Sequence, residues 1–371
     1  MKKRVKFLAL ILSLAMLLSL AACGNGPAPS DADKPADNAG VAGEANKPEN
    51  AEPMVLKIAT NYGENHTVTL GIKEFIKYIE EHTDGAITFE LYTGGTFCAI
   101  TEEPEYVSSG ATDVGFVMPA YMFEHVPMLS YATQSCRGYE DAIAMANKFL
   151  IDTPEYAEVI EKQCTAYNIK FIDFFPFSCT APVGSIELTS WDDMVGHTFG
   201  IAVWADVFKM LGIDTISFPV TDTYENLNKG VCEIVSAGLK STVDMGLYEI
   251  AKNCLITDIV NCAPDCIVNL ETWNKLTPEQ QQIFYEAMDV AQQFELETYL
   301  AEGENTAEFL EENGVTVTYM SAEDELKFIE AYYTVQYNIV KNFATPLGDA
   351  EILKAMAADV NEYLGINVQY E

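Results

Sequence analysis

Apolar positions from residue 54 onward switch repeatedly between two periods. Leu56 and Ile58 alternate with Lys57 and Ala59, a strand spacing. After a turn-like stretch at 61–65 the period lengthens, so that Val68, Ile72, Phe75, Ile76 and Ile79 share one helical face. Asp84-Gly85 ends that helix, Ile87, Phe89 and Leu91 alternate again, and Gly94-Gly95 opens a loop. The spacing then predicts a short helix over 101–109, a short strand over 114–118 and a helix over 139–150. Thr153-Pro154 restarts a helix with a cap residue and a proline at the first position. Residues 169–177 form a long apolar strand interrupted by Asp173. Strand and helix alternating in this way predict an α/β lobe whose sheet is covered on both faces.

A second unit begins near Thr180. Ser190-Trp191-Asp192-Asp193 has the spacing of a capping box, with Asp in place of Glu. Strands are predicted over 198–202, 215–218 and 231–236, and helices over 204–211, 221–227 and 241–251, closing at or near Gly212 and Gly230 for the first two. Residues 267–270 read as a strand returning toward the first lobe. Thr277-Pro278-Glu279-Gln280 combines an N-cap, a proline at N1 and Gln at N3, and a very long helix follows toward Glu312. Val315, Val317 and Tyr319 alternate as an edge strand, and 322–343 and 350–363 are terminal helices. The chain divides into residues 1–22, 23–53, a first lobe at 54–178, a second lobe at 179–260, and 261–371, which carries the return strand, the long helix and the C-terminal helices. Two α/β lobes joined by crossing segments make a hinge with a cleft, where ligands favour binding.

The N-terminal end changes the picture. Lys2, Lys3, Arg4 and Lys6 precede an apolar run from Phe7 to Ala21, and Leu20-Ala21-Ala22-Cys23 follows. A basic start, a short apolar core and small residues before a cut describe an export signal. Leu-Ala-Ala-Cys resembles a lipoprotein cleavage box, in which Cys23 takes the lipid and becomes the mature N-terminus. Residues 24–53 are mostly Gly, Pro, Ala, Asn, Asp and Glu, a composition with little to bury, and read as a tether. The expected location is therefore the extracytoplasmic face of a bacterial membrane.

Four of the 21 lysines and arginines lie in the signal, leaving 17 against 56 acids, a formal charge of −39 from Cys23 onward. That balance excludes a nucleic-acid partner, since phosphate backbones need a basic face. It also disfavours contact of the body with anionic lipid. The body holds no apolar run long enough to span a bilayer.

Catalytic signatures are missing. There is no Gly-rich phosphate loop of the usual spacing and no nucleophile elbow. His66, His82, His125 and His197 are not paired at metal-ligand spacing. Cys98, Cys164 and Cys232 sit within element-like segments as small hydrophobes, and Cys262-Ala-Pro-Asp-Cys266 has no companion pair. The expectation is a binding protein and not an enzyme, with no metal or cofactor.

The body resembles the substrate-binding proteins of TRAP transporters, the tripartite ATP-independent periplasmic systems. Six marks carry the resemblance, in order and at fitting distances between 56 and 363. They are FIKYIEEHTDG from Phe75, LYTGG from Leu91, SGATDVG from Ser109, WDDMVG from Trp191, YENLNKGVCE from Tyr224 and LETWNKLTPEQ from Leu270. The resemblance implies a two-lobed periplasmic-binding-protein fold with a long helix spanning both lobes, a small-molecule ligand engulfed by hinge closure, and integral membrane TRAP permease subunits as partners. An ABC-type solute receptor shares the tether, lobes and hinge. A surface scaffold or adhesin without a small ligand is the reading from another class.

One departure bears on the ligand. The family's motif places an arginine in the cleft that clamps a ligand carboxylate. Here Gly196-His197-Thr198-Phe199-Gly200 stands at that motif, with Gly200 where the arginine is expected, and Arg137 is the single arginine after the signal. A lysine cannot copy the rigid guanidinium fork. The expected ligand is then neutral, zwitterionic or cationic, with an apolar or aromatic part; a small organic acid held by another donor is the alternative. Trp204 just past Gly200, Tyr224 in the next helix and Phe177 at the end of the first-lobe strand are candidate pocket walls. Phe199 and Tyr92 fit either a wall or the interior. Gly200 is expected to leave volume free, and Asp206 and Lys240 are candidate polar contacts.

Overall fold

The computed structural model describes residues 53–178, 181–201 and 204–370. The export signal, Cys23 and the tether up to residue 52 lie outside the described residues. In chain order the first lobe contributes β1 (Met54–Ala59), α1 (Thr67–His82), β2 (Ile87–Tyr92), α2 (Glu103–Ser108), β3 (Val114–Val117), α3 (Pro127–Ala132), β4 (Ser135–Arg137), α4 (Gly138–Asn147), α5 (Pro154–Ala166) and β5 (Ile169–Ser178). The second contributes β6 (Ala181–Gly184), β7 (Phe199–Ile201), α6 (Ala205–Met210), β8 (Thr215–Ser217), α7 (Thr223–Asn228), β9 (Ile234–Ala237), α8 (Leu239–Asp244) and β10 (Asn253–Ile256). The chain returns through β11 (Ile259–Asn269) and continues as α9 (Pro278–Glu312), β12 (Thr316–Tyr319), α10 (Ala322–Leu347) and α11 (Ala350–Leu364).

The first sheet runs β2-β1-β3-β11-β4, with β5 also on β11. β1 is parallel to β2 and β3, whereas β11 is antiparallel to β3, β4 and β5. The second sheet runs β12-β10-β6-β9-β7-β8. β5 leads from the first sheet toward β6 of the second, and β10 of the second leads directly into β11 of the first. These two crossings set the lobes edge to edge. α9 is the third link: at 35 residues it is about 50 Å long, and it packs on α1 and β5 in one lobe and on α8 and β12 in the other. Its start carries a complete capping box between Thr277 and Gln280.

The first lobe's core is aromatic. Phe75 of α1 meets Phe116 and Phe284 edge-on at 5.6 Å, and Phe116 stacks on Phe175 at 5.0 Å. The second lobe buries Val183, Val235, Leu247, Cys254 and Leu310 together. Trp191 ties that lobe to α10: its ring stacks on Phe328 at 5.4 Å and its indole N–H donates to the Asp324 carbonyl at 2.8 Å.

Several expectations shift. The return strand is 11 residues long, not four, and every residue of it is buried; with both faces covered it shows no alternation to read. β4, β6 and β10 have three or four residues each and lie below the reach of a periodic signal. The predicted helix over 241–251 is the one-and-a-half-turn α8 starting at Leu239, followed by a 3-10 turn at Leu247–Glu249. The capping-box spacing at Ser190 starts no α-helix. Asp193 instead accepts the backbone N–H groups of Thr189 and Ser190 and both hydroxyls, closing a single 3-10 turn at Asp192–Met194.

Candidate functional site

Where the lobes face each other, the structure has two chambers. The larger, of about 520 Å³, is bounded by residues 63–67 of the first lobe, by Gly238–Ser241 and Asp244 of the second and by Tyr299, Glu302 and Gly303 on α9. The first wall follows β1 and the second follows β9, both at strand C-terminal ends, where backbone turns outward and leaves room for a ligand. His66 is fixed there as the N-cap of α1: its Nδ1 accepts the Val68 N–H at 3.2 Å and its ring lies against Tyr62 at 4.6 Å. Burial holds the imidazole below its ordinary pKa, with Asp244 of the facing lobe pulling it up and Lys240 pushing it down. Thr67 donates to Glu302 at 3.0 Å, joining the first-lobe wall to the spanning helix. Lys240, the one ammonium on this wall, is held by Asp244 at 2.9 and 3.1 Å.

The smaller chamber, of about 330 Å³, lies between Met118 and Pro119 after β3, Gln134 before β4, Asn261 and Ala263 on β11, Trp204–Val207 of the second lobe, and Tyr332–Ile339 on α10. Trp204 precedes α6 in the left-handed region at φ 66°, a cost for a non-glycine residue that recurs at binding clefts. Its ring meets Phe328 and Tyr332 edge-on at 6.0 and 5.9 Å. Gln134 and Gln336 are 3% and 6% exposed, and neither side-chain oxygen has a hydrogen-bond partner.

Charge is distributed one way. Glu64, Asp244 and Glu302 line the larger chamber opposite Lys240, and Asp206 is the charged residue of the smaller. Arg137 lines neither and is spent elsewhere, its Nε donating to the buried Glu325 at 2.9 Å.

The sequence candidates separate accordingly. Trp204 and Asp206 line the smaller chamber and Lys240 the larger. Phe199 is fully buried, edge-on to Phe208 at 4.8 Å in the core. Tyr224 packs half-buried on the second lobe's core, and Tyr92 lies half-buried on the far edge strand, its hydroxyl donating to Glu90 at 2.9 Å and its ring against Phe97. Phe177 pairs with Asn261 at the crossing; its side chain lies outside the described residues. The expected free volume at Gly200 is corrected: a Cβ there would stand 2.4 Å from the Phe218 ring and 2.9 Å from the Cys232 sulfur, so Phe218 already occupies the space.

His66, Gln134, Tyr299, Glu302 and Gln336 were not singled out from the sequence. The loop after β1 had a signal, its place at a strand end; the two glutamines had none.

No group of three or more His, Cys, Asp or Glu side chains among the described residues is arranged to hold a metal. The seven described cysteines are free and buried. Burial raises the thiol pKa of Cys136 to about 12 and those of Cys262 and Cys266 well above the ordinary value, so these thiols stay protonated and unreactive. No helix among the described residues is long and apolar enough to cross a membrane.

Comparison with known proteins gives this geometry a context. Residues 58–342 match the family model described as bacterial extracellular solute-binding protein, family 7. A solute-binding protein of Sulfitobacter sp. strain NAS-14.1 is 22% identical over 312 residues, 82% of this chain and 91% of its own. Among solved structures, a TRAP periplasmic solute-binding protein from Ochrobactrum anthropi superposes with a TM-score of 0.71 at 16% identity, covering 85% of this chain and 97% of that one. One from Desulfovibrio salexigens, with bound orotic acid, gives 0.67 at 17%, covering 83% and 99%. Two α/β lobes, two crossing strands and a helix spanning both lobes thus agree with the matched sequence family: the chain belongs to the family 7 bacterial extracellular solute-binding proteins.

Proposed function

We propose that this protein is lipid-anchored through Cys23 on the extracytoplasmic face of the membrane, captures a small organic solute between its lobes and passes it to integral membrane permease subunits. The solute is neutral, zwitterionic or cationic with an apolar or aromatic part, rather than an arginine-clamped carboxylate. One observation carries this: no guanidinium lines either chamber, because Arg137 is the single arginine after the signal and Glu325 holds it. A carboxylate enclosed there would lose its water without a matching fork of donors, a large cost. The carboxylates of the larger chamber add to it.

Lys240 supports a second reading, a small organic acid, since its ammonium lines the larger chamber. Its pairing with Asp244 makes it the weaker donor.

The test is mass spectrometry of solute that copurifies with the full chain, followed by calorimetry on the identified compound. A neutral or cationic solute supports the reading. A simple carboxylate whose affinity collapses in Lys240→Ala refutes it in favour of the organic acid.

A further inference from the structure

The smaller chamber has a recognition chemistry of its own. Gln134 comes from the segment before β4 and Gln336 from the middle of α10, about 200 residues apart in sequence, yet both line the same chamber. Both are more than nine-tenths buried and both side-chain oxygens lack a partner. Buried amide oxygens in folded proteins are nearly always hydrogen-bonded, because burial has already removed their water. Lining one chamber, the two glutamines give it two hydrogen-bond acceptors that the fold leaves unused. A carboxamide also offers two N–H donors, so each glutamine can meet an N–H and its neighbouring carbonyl on a ligand together.

The remaining walls set the rest of the ligand. Trp204 and Tyr332 provide aromatic surface, and Met118, Val335 and Ile339 are apolar. Asp206 is exposed and no cationic side chain lines the chamber among the described residues, so no charge there pairs with a carboxylate. Among the described lining residues no buried carboxylate is present to match an ammonium either. At about 330 Å³ the chamber lies at the small end of ligand pockets.

We propose that the smaller chamber binds an uncharged, planar, N–H-bearing heterocycle of one or two rings, held by hydrogen bonds to the Gln134 and Gln336 carboxamides and by stacking on Trp204. This rests on the reading of the cleft as a solute site without an anion clamp and names the ligand class for part of it.

The experiment uses matched pairs that differ in N–H groups: uracil against 1,3-dimethyluracil, and theobromine against caffeine, by calorimetry and thermal shift on the full chain at neutral pH. N–H compounds should bind and their fully methylated partners should bind at least about tenfold more weakly, since a site built around hydrogen bonds rejects a ligand lacking them. Gln134→Leu and Gln336→Leu should each weaken the N–H compounds by about tenfold and narrow the gap within each pair. Equal binding within the pairs, or failure of every N–H compound to bind, overturns the proposal. If either variant fails to fold by circular dichroism, the matched pairs on the unaltered protein still decide. Binding of D-galacturonate or pyruvate, with none of the heterocycles bound, would overturn the solute reading as well. A neutral or cationic solute insensitive to both glutamine variants overturns this proposal alone.

Discussion

At position 200 the absence of a side chain leaves room for the Phe218 ring. A Cβ there would press into the Phe218 ring at 2.4 Å, a distance that forces the ring to move. Gly200→Ala is therefore expected to cost about 1–3 kcal/mol, as overpacking does. Combining it with Phe218→Leu should recover part of the loss; chemical denaturation of the three variants measures this, and an additive double variant would show that the two residues do not meet. Glu295 makes a different residue-scale prediction. It lies on α9 at 0% exposure with neither oxygen partnered, its stem packed against Gly71 of α1. Burial first, then the charge of Glu302, raises its pKa to about 8. The folded state therefore holds a proton there that the unfolded chain releases near its ordinary value of 4.5. Between those values the folded state binds more protons, so stability falls as pH rises through the window. Glu295→Gln keeps the shape and removes the titration. It should be more stable than the parent at pH 8, by on the order of 4 kcal/mol at most, and indistinguishable near pH 4. Melting curves at both pH values check this, and a parallel pH dependence would place the proton elsewhere.

Among the elements, α9 does the most to join the lobes, and its start is the part most plainly written in the sequence. Thr277 and Gln280 satisfy each other's backbone N–H groups at 3.2 and 2.9 Å, as Thr-Pro-Glu-Gln implies. Thr277→Ala should lower stability by about 1 kcal/mol without weakening solute binding, because the cap lies at the first-lobe end, away from both chambers; denaturant midpoints and calorimetry separate the two effects. The other elements were legible in proportion to their exposure. α1 shows one wet and one dry face and its period is plain: of its predicted face, Val68, Ile72, Phe75 and Ile79 are buried and Ile76 is half-buried. β11 is dry throughout and carries Asn261, Cys262, Asp265 and Cys266 in its interior, so neither alternation nor apolarity marks its first half. α10 reads as an amphipathic terminal helix, and nothing in its period distinguishes Gln336, which faces a chamber, from a solvated glutamine.

For the whole molecule, the excess of 56 acids over 21 bases and the lack of a cleft arginine are the two features on which the proposed non-anionic ligand rests. The proposed lipid anchor is tested independently of the ligand: Cys23→Ser protein should lose incorporation of labelled fatty acid and leave the membrane fraction, and retained label would refute the assignment to Cys23. The α/β class, the lobe order, the spanning helix and the family marks were all present in the chain, because periodicity, caps and turns are local and survive without tertiary information. So was the replacement of the motif arginine by Gly200. Only the tertiary structure decided which polar side chains meet. It brought His66 opposite Asp244 and Lys240 across the lobes, put Gln134 and Gln336 around one chamber, moved Phe199 into the core and filled the space at Gly200 with Phe218. These are contacts between residues far apart in sequence, and a ligand site is made of such contacts; no local pattern encodes them.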